Sequence, residues 1–421
     1  MLGGAHLWRH ADFLKLWAGQ TISVVGSEVT VLALPTIAIL QLHAVGAQVG
    51  LLTALQRVAF PALALFAGVF VDRMRRRPLM IAADSIRALA ILSVPVAAAV
   101  GTLTLLQLYV VAVLLGIGTV VFDIAYLAYL PSLVQRAHLL EGNTKLEVSF
   151  SVARLAGPGL GGALIQLIGA AQAMLADAVS FVVSVATIGW IGQPELAPED
   201  RGSRATVQHE IREGLRLVLR DPILRALAVM LTVGAVGFHL AEPALYLFAY
   251  RNLKLSPGLV GLIFTIAGLG ALVGTLMVGA VVRRLGLGRT LAVTITSTSV
   301  AFICWPLALA GPPLPILVAL QFVVGVADSI YNVSQLSLRQ VVTPDRLQGR
   351  MTATLRTMFW GAWPLANLAG GLLAGAIGAA ATIVIGGLIA MTSALVVILG
   401  PLGRLQKHPV APRAPEESPG R

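Results

Sequence analysis

The chain has 421 residues, 57% of them hydrophobic and only 12% charged, and 30 lysines and arginines against 19 acids leave a net charge of +11. Soluble domains carry about 25% charged residues, so an ordinary soluble globule is excluded and a lipid bilayer is the expected solvent. The basic residues are spread over alternate connections rather than gathered on one face, which argues against nucleic-acid binding.

A bilayer-spanning helix needs about 20 mostly apolar residues. Twelve such stretches follow one another, at 14–39, 48–71, 79–99, 106–128, 144–168, 171–191, 223–248, 258–282, 290–310, 314–337, 350–376 and 380–402. Each is expected to be a helix, because lipid offers backbone N–H and C=O groups no partner outside their own segment. Met1 to Lys15 lacks the apolar core and cleavage site of a signal peptide, so the first span is expected to stay as an anchor. Lysines and arginines fall in the first tail, every second loop and the last tail, and only Arg251 and Lys254 face the other way, which places both termini in the cytoplasm.

Ionisable residues inside spans are functional candidates by default. In chain order these are Glu28, Arg57, Asp84 with Arg87, Asp123, Arg154, Asp177, His239 with Glu242, and Asp328. Asp84 and Arg87 share a helical face and are expected to pair with each other or with the basic loop, and Asp177, near the outer end of its span, reads as a cap. After the second span comes Gly68-Val69-Phe70-Val71-Asp72-Arg73-Met74-Arg75-Arg76-Arg77. A carboxylate at the depth of Asp72 costs about 3 kcal/mol unless paired, so it suits a latch at an inner gate; as a basic cluster alone, the loop is a topology anchor. The fifth span holds Arg154-Leu155-Ala156-Gly157-Pro158-Gly159-Leu160-Gly161-Gly162, which would wreck an isolated helix but permits close packing and a bend in a bundle, as an outer seal needs. Cys304, the only cysteine, lies in an apolar run and reads as an inert core thiol. Phe359, Trp360 and Trp363 suit either an apolar substrate or the lipid interface.

Residues 192–222 divide the spans six and six. Within them Ile211, Leu215 and Val218 alternate at helical spacing with Glu210, Arg212, Glu213 and Arg216, the pattern of an amphipathic helix on the membrane surface. The expected units are therefore a six-helix bundle over 1–192, a cytoplasmic linker over 193–222, a second bundle over 223–403 and a disordered tail over 404–421. The halves repeat. Gly50-Leu51-Leu52 and Gly261-Leu262-Ile263 are 211 apart (261 − 50), as are Gly68 and Gly279 (279 − 68), each ahead of a basic loop; Asp123-Ile124-Ala125-Tyr126 and Asp328-Ser329-Ile330-Tyr331 are 205 apart (328 − 123). Two parallel repeats place a polar site between them near mid-membrane, the arrangement of transporters. Glu28 and His239 are also 211 apart (239 − 28) and are expected to face one another there. Glu28 is the expected proton carrier, with Arg57 or Arg154 as counter-charge and Asp123, Asp328, His239 and Glu242 as further candidates.

The chain resembles the major facilitator superfamily, and within it the drug:proton antiporter branch that includes macrolide efflux and enterobactin export proteins. The likeness runs over nearly the whole chain. Gly68, Asp72, Arg73, Arg76 and Arg77 match the gating-loop motif Gly-x-x-x-Asp-Arg-x-Gly-Arg-Arg, with Arg75 in place of its second glycine. Gly157, Pro158, Gly161 and Gly162 match the antiporter glycine motif of the fifth span, whose earlier glycines are absent here. The fourth-span arginine of many drug antiporters is also missing, since residues 111–115 hold no charge.

The resemblance implies twelve transmembrane helices in two pseudo-symmetric six-helix bundles, a monomer in a bacterial inner membrane, and export of a drug-like or siderophore-like amphiphile in exchange for protons. An importer, symporter or facilitator on the same fold is the alternative. No metal-ligand cluster, nucleophile triad or phosphate loop stands in the sequence, so neither an enzyme, a cofactor nor direct ATP drive is expected.

Overall fold

The computed structural model describes residues 7–135, 138–195, 207–344 and 347–405, with the backbone alone described for 64–73, 207–211 and 404. Among the described residues every regular element is helical. The first six long helices are α1 (Ala11–Thr36), α2 (Gly46–Arg73), α3 (Arg76–Ala99), α4 (Leu105–Leu133), α5 (Leu139–Ile168) and α6 (Ala170–Gly189). A shorter helix, α7 (Val207–Arg220), leads into α8 (Pro222–Leu247), α9 (Pro257–Leu285), α10 (Leu287–Ile303), α11 (Pro313–Val342), α12 (Gln348–Ile377) and α13 (Ala379–Leu399).

Their boundaries follow from local chemistry. Asp221 accepts from the amides of Ile223 and Leu224 ahead of Pro222, a helix start in which proline forfeits no bond. Gly169 (φ +88°) turns α5 directly into α6 and Gly378 (φ +91°) turns α12 into α13; both hold a left-handed conformation that side chains resist. Ten helical stretches are long and apolar enough to cross a bilayer. Helix α12 carries Arg350, Arg356 and Asn367, and it packs on α2.

Within the first six helices α1 packs on α5 and α6, and α3 on α4 and α6; in the second set α8 packs on α12 and α13, and α10 on α11 and α13. Between the sets α2 meets α12 and α5 meets α9. These two contacts are images of one another. A Cβ on Gly50 would come within 2.6 Å of the Gly371 Cα, and one on Gly162 within 2.9 Å of the Gly261 Cα. Gly50 and Gly261 are 211 apart (261 − 50), Gly162 and Gly371 209 apart (371 − 162), so the sequence repeat is a structural pseudo-dyad. α1 and α8 even end alike, each widening into a π turn, Ile37–Gln41 and Phe248–Asn252, again 211 apart (248 − 37). The second π turn shortens the expected 249–257 loop by extending its helix to Asn252.

The two ends of the bundle differ. At the end bearing Arg76, Arg77, Arg283 and Arg284, the basic end, each half has its own apolar core, one around Phe13, Phe122 and Tyr129, the other around Leu224, Leu291 and Met351. At the opposite end a single core runs through both halves, from Leu34 and Ile91 to Phe248, Trp305 and Ile383. Two cross-half bonds reinforce that closure: the Thr36 and Tyr250 hydroxyls lie 2.7 Å apart, and Arg251 Nη2 donates to the Ala44 carbonyl at 2.8 Å. The molecule is shut at the opposite end and divided at the basic end.

The linker is tied to both halves. Glu195 accepts from the Arg76 and Arg77 amides at 2.6 and 3.1 Å, capping the start of α3. Helix α7 lies on α12 rather than on the membrane surface alone: Glu213 pairs with Arg350, and Gly214 sits against the Arg350 carbonyl and Thr354. Residues 196–206 and 406–421, with much of the expected linker and tail, lie outside the described residues.

Candidate functional site at the junction of the halves

Helix α1 brings Glu28 against α5. Its Cβ and Cγ occupy the space that a side chain at Gly157 would fill, and Gly161 lets the Val29 backbone approach the same helix. Gly162 and the Pro158 carbonyl face α9 instead, on Gly261. The glycine motif thus joins three helices at once, with α5 running through Pro158 as one continuous helix. Glu28 is half-buried and has no hydrogen bond or ion pair among the described residues; it interacts electrostatically with Arg154 and Arg57. Asp123 lies within the field of Arg154 as well, is exposed, and likewise lacks a bonded partner among the described residues.

On the other half His239 and Glu242 lie on α8, and His239 Nδ1 stands 2.7 Å from Glu242 Oε2. Arg57 of α2 reaches the same carboxylate from across the interface, Nη2 to Oε1 at 4.0 Å. Asn367 of α12, oriented to donate, bonds the His239 carbonyl at 2.6 Å and Glu242 Oε2 at 3.3 Å. Trp363, one turn earlier, stacks its ring 4.3 Å from that of His239 and lies under the Arg57 guanidinium at 5.6 Å. Phe60 meets Trp360 edge-on at 4.2 Å, carrying the α2–α12 contact toward the basic end.

Several expectations change. Glu28 and His239 each face the fifth helix of their own half, as the repeat requires, but they do not touch; His239 is taken by Glu242. Arg57 is bonded to Glu242 and only its field reaches Glu28. Trp363, whose placement the sequence left open, packs at the junction of the halves, against His239 and Arg57. Asp328 is exposed and accepts from Asn332 at 3.0 Å on its own helix, apart from this cluster. Asp177 is no cap: it is 1% exposed, between α1 and α6, and accepts from Thr30 at 2.5 Å, Ser180 at 3.0 Å and Ser27 at 3.5 Å. Asp84 and Arg87 pair as expected, with the guanidinium between Phe122 and Phe181.

Of the gating loop, α2 ends at Arg73 and α3 starts at Arg76, but the side chains of Gly68's neighbours, Asp72 and Arg73 lie outside the described residues. Arg76 gives its amide to Glu195, and Arg77 adds Nε to the Ile188 carbonyl at 3.0 Å and Nη2 to that of Gly189 at 2.5 Å. The sequence reading missed Asn367 and Tyr250, and it took Arg251 only as one of two bases facing the other way. Asn367 had a signal, a lone amide in an otherwise apolar stretch.

Chemically the arrangement sets two carboxylates against each other. Glu242 is fixed by a histidine, an arginine and an amide, whereas Glu28 is held by none. A carboxylate without a bonded partner in an apolar setting is the one free to exchange a proton or meet a ligand. No group of three histidine, cysteine, aspartate or glutamate side chains among the described residues is placed to hold a metal.

Comparison with known proteins agrees with this architecture. A family model described as transmembrane secretion effector matches residues 5–419. The multidrug efflux pump Tap of Mycolicibacterium fortuitum is 28% identical over 380 residues, covering 88% of this chain and 90% of that protein. The enterobactin exporter EntS of Salmonella typhi is 24% identical over 413 residues, covering 95% of each. Among solved structures, a bacterial homologue of the iron transporter ferroportin in its inward-facing state superposes with a TM-score of 0.75 at 18% identity, over 92% of this chain and 98% of that one. The outward-facing state of such a homologue gives 0.58 over the same shares.

Proposed function

Because the chain belongs to the transmembrane secretion effector family of major facilitator transporters, we propose that it exports an amphiphilic small molecule by alternating access and takes protons in exchange. The observation that carries this reading is Glu28, without a bonded partner among the described residues, on the α5 glycine motif that also meets α9, in a molecule closed at one end and divided at the other. The names of the relatives, a multidrug pump and a siderophore exporter, support outward movement of organic cargo. The positive-inside pattern supports assigning the basic end and both termini to the cytoplasm of a bacterial inner membrane, so that this state faces inward.

The mechanism follows from the cost of charge. Carrying a bare carboxylate through a closing apolar interface is unfavourable by about 3 kcal/mol. Glu28 therefore crosses when a proton or a bound ligand covers it, and stays put when neither does. Protonation from outside returns the empty carrier, and release inside resets it. Glu242, with its charge already balanced by Arg57 and His239, holds α2 and α12 to α8 throughout.

Inverted vesicles from an efflux-deficient host provide the test. Ethidium accumulation should follow an imposed pH gradient, collapse with a protonophore, and fall about tenfold or more in Glu28→Gln. Accumulation indifferent to the gradient overturns the exchange, and undiminished uptake by Glu28→Gln overturns the role of that residue.

A further inference from the structure

The contact between α5 and α9 ends abruptly. It runs from Gly162 on Gly261, through Gly159 beside Thr265, to Leu155 beside Gly268. One turn further toward the basic end the helices part, and a cleft of about 710 Å³ opens between α4, α5 and Leu272 of α9. That volume suits a drug-sized molecule, for which pockets of about 300–1,000 Å³ are usual. Its walls are mostly apolar, with Asn143, Thr144 and Ser151 among them, and bare: Leu127 is 66% exposed, Val152 56% and Leu272 49%.

One charged side chain lines it, Glu147, which is exposed and makes no hydrogen bond or ion pair among the described residues. The bases nearby are spoken for or lie deeper: Lys145 pairs with Glu141 at 3.3 Å and covers Trp8 at 4.0 Å, and Arg154 belongs with Glu28 and Asp123. In a chain of net charge +11, an apolar cleft whose single charge is negative selects by sign. Glu147 and Asp123 both act on Tyr126, which lines the same cleft.

Resting on the export reading above, we propose that this cleft is the vestibule through which a cationic amphiphile reaches the junction, its apolar body against Leu127, Val152 and Leu272 and its positive group held by Glu147. An anion would meet an uncompensated carboxylate there, and a neutral molecule would gain nothing from it.

The test uses binding, so that it stands apart from transport. In full-length protein with Cys304→Ser, a cysteine introduced by Val152→Cys should react readily with a maleimide. Tetraphenylphosphonium should slow that reaction about tenfold, as loss of one charge-assisted contact would suggest, whereas the neutral triphenylphosphine oxide should not. Protection should vanish in Glu147→Gln and persist in Glu147→Asp. An unreactive cysteine, equal protection by the neutral compound, no protection at all, or protection unchanged in Glu147→Gln each overturns the proposal. Protection without gradient-driven efflux would instead sink the export reading and leave the vestibule standing, and efflux without protection would do the reverse.

Discussion

At the scale of residues, the proposed role of Glu28 stands on its contrast with Asp177. Both are carboxylates on neighbouring faces of the α1 junction, yet Asp177 has three hydroxyl donors and Glu28 has none among the described residues. Hydrogen bonds between membrane helices contribute about 0.6 kcal/mol each. Asp177→Ala, which strands Thr30 and Ser27 while Ser180 keeps the Asp177 carbonyl, should therefore lower stability by about 1 kcal/mol, while Asp177→Asn keeps an acceptor and loses less. Thermal unfolding in detergent measures the first effect, and vesicle uptake should show that Asp177→Asn retains gradient-driven transport. Loss of coupling in Asp177→Asn would make Asp177 a second proton site. Sequence offered the list of buried charges but not this sorting. The 211-residue offset placed Glu28 and His239 at matching depths because the halves keep register. Partner choice depends on helix rotation and on neighbours such as Asn367, which a linear chain does not reveal. Glu242 was easier, since it stands three residues after His239 on one helical face.

At the scale of elements, the closure rests on two small-residue crossings related by the pseudo-dyad. Each depends on backbone approaching backbone, so a side chain at either should wedge the opposite end open. Gly371→Leu meets Gly50 Cα and the Gly46 carbonyl, neither of which can yield as a side-chain tip does. The readout is a cysteine at Thr36, 1% exposed in the closed molecule. In a Cys304→Ser background Thr36→Cys should resist an impermeant maleimide in the parent and react about tenfold faster once Gly371→Leu is added, a shift in the open population worth about 1.4 kcal/mol. Equal reactivity would mean that the glycines fill space without setting the gate. The glycine motif over 157–162 stood out in the sequence because glycines and proline are conspicuous inside an apolar run. The π turns at Ile37–Gln41 and Phe248–Asn252 gave no such sign, for they arise where each helix end adapts to the other half. Helix α7 was legible as amphipathic, but not its seat on α12, which is made through Gly214 and the pairing of Glu213 with Arg350 while Leu215 and Leu219 stay exposed.

At the scale of the whole molecule, the proposed alternating access calls for two states, and the structure shows one. A repeat of 211 residues makes the halves interchangeable as packing units, so hydropathy reveals twelve crossings and a pseudo-dyad but not which end is shut. That choice lies in a few contacts at the opposite end, Thr36 with Tyr250, Arg251 with Ala44 and the paired glycines, set against two separate cores at the basic end. Rigid halves that trade one closure for the other must move their ends reciprocally. Spin labels at Gln135 and Gln340, exposed equivalents 205 apart (340 − 135) at the basic end, should draw together under any condition that parts labels at Thr102 and Pro312 on the opposite end. Glu28→Gln, a mimic of the protonated carboxyl, should shift both distances in these senses without cargo, because the charge that holds the carrier in place has been removed. Pulsed dipolar spectroscopy in liposomes reads both pairs. Ends that open together, or a basic-end distance that changes while the other stays fixed, would rule out rocking about the glycine crossings and leave local gating of single helices as the mode of motion.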